Sequence, residues 1–165
     1  MIGSGRPMKK MEEGRTAPTE AMAQNAALCF RVTKKRGAEV LLVTSRDTGR
    51  WVIPKGWPMK DKSGGECALQ EAFEEAGVDG RIVAGAVGIY SYDKVMDDKS
   101  LQPCVVSVFP VEVARLKSNF PEHGQRDRRW FSPKKAARKV AEPELRNILA
   151  GFDPAQLTDA DGGNA

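Results

Sequence analysis

The stretch "ALQEAFEEAGV", Ala68 to Val78, decides how this chain is read. Its alanines, leucine and phenylalanine favour a helix, yet Glu71, Glu74 and Glu75 crowd into it. Positions i, i+3 and i+4 share a helix face, and like charges placed there cost a few tenths of a kcal/mol. No lysine or arginine within the stretch offsets that repulsion. The helix has definite ends. Ser63 and Glu66 have the S-x-x-E spacing of a capping box, and Gly77 suits the left-handed position that closes a helix. At about 100° per residue, Leu69, Ala72, Phe73 and Ala76 fall on one side and Cys67, Glu71, Glu74 and Glu75 on the other. The spacing predicts an amphipathic helix whose carboxylates lie on its outer face.

Before this helix, Ala26 to Val32 and Glu39 to Thr44 are apolar, β-rich runs joined by a polar turn with Gly37, which is a hairpin pattern. Trp51 to Ile53 is a short apolar run stopped by Pro54, and the prolines and glycines of "RWVIPKGWPMKDKSGG" predict a basic loop without regular structure until Ser63. After it, "RIVAGAVGIYSY" and "PCVVSVFPVEVA" read as two longer strands around a charged loop from Asp93 to Gln102. "RRWFSPKKAARKV" predicts a short strand ending at Phe131, then a helix with Ser132 as N-cap and Pro133 in its first turn. Pro143 to Leu149 adds a helical turn or two. This order argues for an α/β sandwich, with helices on both faces of a mixed sheet, rather than a regular βαβ repeat. Residues 1–22 read as an unstructured tail, 23–152 as one domain, and 153–165 as a frayed end.

At 165 residues the chain is long enough for one core without disulfides or structural zinc. Cys29, Cys67 and Cys104 are odd in number and widely spaced, which points to a reducing cytoplasm rather than a disulfide framework. No apolar run approaches the ~18 residues of a membrane span, so no membrane partner is expected. The net charge of +4 fits an anionic small ligand as readily as nucleic acid.

Two readings of the three glutamates stand open on composition: an ordinary solvated helix face, or a site for a hard divalent cation. Mg²⁺ is typically held by one or two carboxylates plus substrate phosphates, and the basic glycine-containing loop just before the helix would bring backbone groups near both. From Gly56 to Val78 the sequence resembles the Nudix box, G-x5-E-x7-R-E-U-x-E-E-x-G-U with U apolar. Gly56 takes the first position and Glu71, Ala72, Glu74, Glu75, Gly77 and Val78 the final run. Lys62 stands where the box has its first glutamate, and Gln70 where it has arginine. The similarity continues through "AALCFR", "EVLLVTSRDTGRWVIPKG", "EEAGVDGRIVAGAVGIYSY" and "RDRRWFSPKKA", which together look like the branch of diphosphoinositol polyphosphate and diadenosine polyphosphate hydrolases.

What the resemblance implies is a Nudix-type α/β/α sandwich that hydrolyses a phosphoanhydride, X-P-O-P-Y, in a phosphorylated small molecule with Mg²⁺ or Mn²⁺ as cofactor. By the same resemblance Glu71, Glu75 and Glu74 are metal ligands, joined by the Lys55 carbonyl. Glu75, with Glu74 beside it, carries the catalysis, and Glu75 is the expected general base. By position, Arg31, Arg46, Arg50 and Arg126 are the substrate-binding candidates, since arginine grips phosphate with two hydrogen bonds. An RNA 5′ end or free nucleotide is the competing substrate class, disfavoured by the weak basic charge. A non-catalytic ligand sensor is the reading of another class, motivated by Lys62 and Gln70. Lys62 reads as a loop lysine, or as a phosphate contact if it folds back over the site. Glu122 and His123 in "FPEHGQ" read as loop residues, Glu122 with an auxiliary role resting only on proximity. Tyr90 and Tyr92 follow strand spacing and read as packing residues, with reach into the cleft as the alternative, and Trp51 and Trp130 read as core.

Overall fold

In the computed structural model, residues 20–157 are described. The tails expected at the two ends fall largely at 1–19 and 158–165, outside the described residues. The hairpin comes first: strand β1 (Met22–Thr33) pairs antiparallel with β2 (Gly37–Thr44), with Cys29 opposite Leu41 and Arg31 opposite Glu39. Gly37 opens β2 at φ +67, where a side chain would be strained. Successive strand residues face opposite ways, and here both directions are buried. Ala26, Leu28, Phe30, Val40 and Leu42 enter one core with Ala136, Leu145 and Leu149 from helices α2 (Pro133–Lys139) and α3 (Pro143–Ala150). Ala27, Cys29, Leu41 and Val43 enter the other, with Ala68, Ala72 and Ala76 from helix α1 (Gly64–Ala76). A strand covered on both faces is why these runs are continuously apolar instead of alternating. Leu28, Leu41 and Leu42 are fully buried, each worth roughly 2 kcal/mol by area. The result is the expected α/β/α sandwich around a mixed sheet.

Among the described residues the sheet has eight strands. The others are β3 (Trp51–Val52), β4 (Lys55–Gly56), β5 (Val78–Ile82), β6 (Gly88–Val95), β7 (Leu101–Leu116) and β8 (Arg128–Phe131). Their main path runs β3-β2-β1-β7-β5, with β4 on β1, β6 on β7 and β8 on β2. The chain divides into two compact units, the smaller containing Met22 and Asp93–Cys104, the larger Ala23–Tyr92 and the chain from Val105 onward. In the smaller, Gln102 donates to the Glu20 carbonyl at 3.0 Å, and Asp98 accepts from the Ser100 N–H at 2.9 Å.

Three expectations are corrected. The loop after Pro54 is not wholly irregular: Lys55 and Gly56 pair with Ala26 and Asn25 of β1. The run from Arg81 to Tyr92 is two strands, β5 and β6, because the chain leaves the ladder between them. The core stripe of α1 is also rotated. Cys67, Ala68, Ala72 and Ala76 are buried, Leu69 and Phe73 only partly, and Glu75 is 7% exposed. Small side chains at i, i+4 and i+8 let the helix backbone sit close on the sheet, which displaces the bulky phenylalanine to the edge and carries Glu75 inward.

Candidate active site

Helix α1 is held at both ends, and its hold at the C-terminal end assembles the site. At the start, Ser63 Oγ accepts from the Glu66 N–H at 3.1 Å while the Ser63 N–H donates to Glu66 Oε1 at 2.7 Å, the reciprocal pair expected from the spacing. At the end, Gly77 adopts φ +70. A Cβ there would meet Phe120 at 2.6 Å and the Lys117 carbonyl at 2.7 Å. The last carbonyls of a helix have no partner within it. Here the segment after β7 supplies them: the Glu122 N–H donates to the Glu74 carbonyl at 3.0 Å, Arg128 Nη1 to that of Ala76 at 2.6 Å, and the Lys117 N–H to that of Gly77 at 2.8 Å. Docking that segment on the helix delivers Glu122 and Arg126 to the glutamates.

Glu75 lies at the centre. Its side chain is 8% exposed, and Arg126, 11% exposed, brings Nη2 to within 3.8 Å of Glu75 Oε1. Burial pushes the Glu75 carboxyl from 4.5 up to about 8; the charges of Arg126 and Lys55 hold it down, and those of Glu71 and Glu122 add to the rise. The Glu71 carboxyl is also raised, first by burial and then by Glu74, while a hydrogen bond with Glu75 opposes this. Glu75 also adds to burial in raising the Cys29 thiol, which places it against the sheet beneath. Arg126 is pinned from three sides, since its Nε donates to Glu122 Oε1 at 2.9 Å and its Nη1 to the Thr44 carbonyl at 3.1 Å.

Gly56 brings β4 against this pair. A Cβ built on it would overlap the Glu71 carboxylate, so only glycine lets the backbone beside Lys55 approach those oxygens. Among the described residues no three side chains of His, Cys, Asp or Glu converge as a metal site. The oxygens on offer are those of the buried Glu75 and the half-buried Glu71, beside a closely packed strand backbone. That set fits Mg²⁺, which takes one or two protein carboxylates and completes its shell with phosphate and water.

The structure gathers some predicted residues and separates others. Glu71, Glu75, Lys55 and Arg126 share one cluster. Arg46 is at its rim, donating to Gln125 Oε1 at 2.9 Å, with Nη1 3.9 Å from Glu122 Oε1. Arg50 lies exposed in the turn that Ser45 closes by donating to its carbonyl at 2.8 Å. Glu74 is held by Gln70, whose Nε2 donates to its Oε2 at 2.6 Å. Gln70 therefore orients a neighbouring glutamate where the resemblance has an arginine doing so. Lys62 is turned to the helix start, where its charge helps hold the Glu66 carboxyl low after the stronger effect of the Ser63 hydrogen bond. Arg31 is elsewhere: its Nε donates to Glu39 Oε1 at 2.9 Å and its guanidinium stacks 4.1 Å from the Trp130 ring. Five residues along β1 from Ala26, it is roughly 17 Å from the strand position beside Lys55. Two residues that sequence reading left as secondary readings gain a place. Glu122 needed the docked segment to reach the site. Tyr92 is half-buried, donates to Gln24 Oε1 at 2.6 Å and has Lys55 Nζ 5.1 Å from its ring, a placement its strand spacing allowed.

A family model for the NUDIX domain matches residues 22–152. The chain belongs to the Nudix family. Among curated members, the Arabidopsis thaliana protein named Nudix hydrolase 12, mitochondrial, is 34% identical over 69% of this chain and 58% of its own length. The human diphosphoinositol polyphosphate phosphohydrolase 3-beta is 31% identical over 74% of this chain and 71% of its own. This Nudix chain thus spans less than two-thirds of that first plant relative. In structure it resembles a C. elegans Ap4A hydrolase binary complex, with a TM-score of 0.56 at 16% identity over 80% of this chain and all (100%) of that one. At that identity the likeness concerns the fold. No helix among the described residues is long and apolar enough to cross a membrane.

Proposed function

We propose that this Nudix domain hydrolyses a phosphoanhydride bond, X-P-O-P-Y, in a diphosphoinositol polyphosphate or a dinucleoside polyphosphate. The observation that carries the reading is the buried Glu75 beside the half-buried Glu71, whose carboxylate lies against the strand backbone that Gly56 keeps bare. A divalent cation at those oxygens, Mg²⁺ or Mn²⁺, would neutralise phosphoryl charge and lower the pKa of an attacking water. Glu71 and Glu75, with the Lys55 carbonyl, are the groups proposed to hold it. Glu75 is proposed as general base: burial holds its proton to about pH 8, the charges of Lys55 and Arg126 favour its ionised form, and a cation bound beside it would add to that bias and free it to accept a proton from water. Glu74, held by Gln70, is proposed to support the pair. Arg126 fixes Glu75 and presents what remains of its donor capacity to phosphate, while Arg46 and Arg50 at the exposed rim suit the outer phosphates of a long substrate. The free cysteines Cys29, Cys67 and Cys104 are consistent with a reducing compartment, and we place the protein in the cytoplasm.

The experiment is a phosphate-release screen with and without Mg²⁺ over diphosphoinositol phosphates, dinucleoside polyphosphates, nucleoside triphosphates and 5′-triphosphate RNA. Mg²⁺-dependent turnover of either of the first two classes is expected. Preference for RNA or free nucleotides would replace the substrate assignment, and inactivity on every class would leave a ligand-binding domain.

A further inference from the structure

Arg31, which does not join the acidic cluster, leads to a second basic site. Around Trp130 and the start of α2 there is a concavity of about 510 Å³, within the size range of small-ligand sites. Arg36, Arg129, Lys135 and Lys139 line it, and Glu39 is the one carboxylate among the lining residues. That carboxylate is already engaged: it accepts from Arg31 Nε at 2.9 Å, lies 3.9 Å from Arg36 Nη1, and is only 8% exposed. It therefore anchors two guanidinium groups and leaves the remaining cations without a carboxylate partner in the concavity.

The cations are brought together by different parts of the fold. Arg36 comes from the β1–β2 turn, Arg129 from β8, and Lys135 and Lys139 from successive turns of α2. The i, i+4 spacing puts the two lysines on one helix face. A helix exposing like charges to water alone gains nothing from facing them toward two arginines. Aromatic rings hold cations in place around it: Arg129 lies 5.5 Å from the Trp51 ring, Lys139 5.8 Å from that of Phe131, and, from the other side of the strand, Arg31 covers Trp130. Charge complementarity selects a compact ligand with several negative oxygens.

We propose that this concavity binds a small molecule carrying clustered phosphates, at a site separate from the glutamates of α1. The shared chemistry is a set of phosphates a few ångströms apart, on a ring or in a linear chain. Binding requires no cation at Glu71 and Glu75, which distinguishes the site from the proposed reaction centre.

Calorimetric titration of the full chain in EDTA with inositol hexakisphosphate and, separately, with tripolyphosphate tests this. Preference between the two identifies a ring or a linear source. The variant K135Q/K139Q keeps helix-forming side chains and should bind roughly tenfold more weakly or worse. K99Q/K117Q removes the same charge from exposed positions outside the concavity and should bind like wild type. Amide and indole NMR signals should shift at Trp130 and along α2. Equal weakening in both variants would reduce the effect to net charge and overturn the site. Shifts centred on Glu71 and Glu75, or no binding of either probe, would also overturn it. Binding of single-stranded oligonucleotides that tightens with length would assign the surface to nucleic acid instead.

Discussion

Replacing Glu75 by glutamine should stabilise the protein while destroying its proposed activity, and the gain should grow with pH. The Glu75 carboxyl rises from 4.5 to about 8, with burial the largest cause. A carboxyl raised in the folded state contributes its full stability below the unfolded value, near 4.5, and loses it as pH rises through about 8. With about 1.4 kcal/mol per pH unit between those limits, metal-free wild type should lose about 4 kcal/mol from this group between pH 5 and 8.5. Glutamine does not titrate. Its neutral amide keeps the packing, and Arg126 retains Glu122 and the Thr44 carbonyl. In urea denaturation with EDTA, E75Q should therefore gain up to about 4 kcal/mol on wild type between pH 5 and 8.5, or about 10 °C in Tm. Millimolar Mg²⁺ should close the gap at pH 8.5 by stabilising wild type and not the variant. Turnover should fall by about a hundredfold or more. A stability difference that ignores pH, or a less stable E75Q at pH 8.5, would refute the placement of Glu75 as a buried, strained carboxyl.

Gly56→Ala should displace the Glu71 carboxylate, abolishing Mg²⁺-induced stabilisation in a thermal melt along with turnover; Mg²⁺ stabilisation equal to wild type would count against β4 as a wall of the site. Gly77→Ala places a Cβ at φ +70 against Phe120 and Lys117 and should cost about 2 kcal/mol or more in chemical denaturation. Lys62→Glu should change kcat/KM by less than about fivefold, because the exposed side chain faces Glu66 rather than Glu71 and Glu75, and a surface charge pair is weak in water. A large rise would mean that a glutamate at 62 reaches the metal ligands. Gln70→Ala frees Glu74 from its 2.6 Å hydrogen bond and should lower turnover with little change in stability, since the pair is part-exposed and worth about 1 kcal/mol.

The order of elements, the caps of α1 and α2, the β1–β2 hairpin and the acidic helix are all legible in the chain. Each depends on neighbours in sequence: short apolar runs bounded by a polar turn, an S-x-x-E spacing, a glycine where φ must be positive. The same locality explains the misread face of α1. Hydrophobicity ranks Phe73 above Ala68, whereas close packing on a sheet rewards the smaller side chain. Strand β4 escaped notice because two residues carry no periodicity, and only pairing to β1 defines them. Arg31 is indistinguishable in sequence from the site arginines, and only the hairpin register sets its partner Glu39 opposite it.

By itself, then, the sequence determined that a capped helix carries three glutamates just after a glycine-containing loop, in an α/β chain. What it could not determine is the state of those glutamates. Burial of Glu75 and the arrival of Lys55, Glu122 and Arg126 beside it arise from contacts between distant segments, whereas the pairings of Glu71 with Glu75 and of Gln70 with Glu74 lie within the helix itself. A carboxylate's charge depends on how much water and which charges surround it, and those surroundings exist only once the segment from Lys117 to Arg128 has capped the helix.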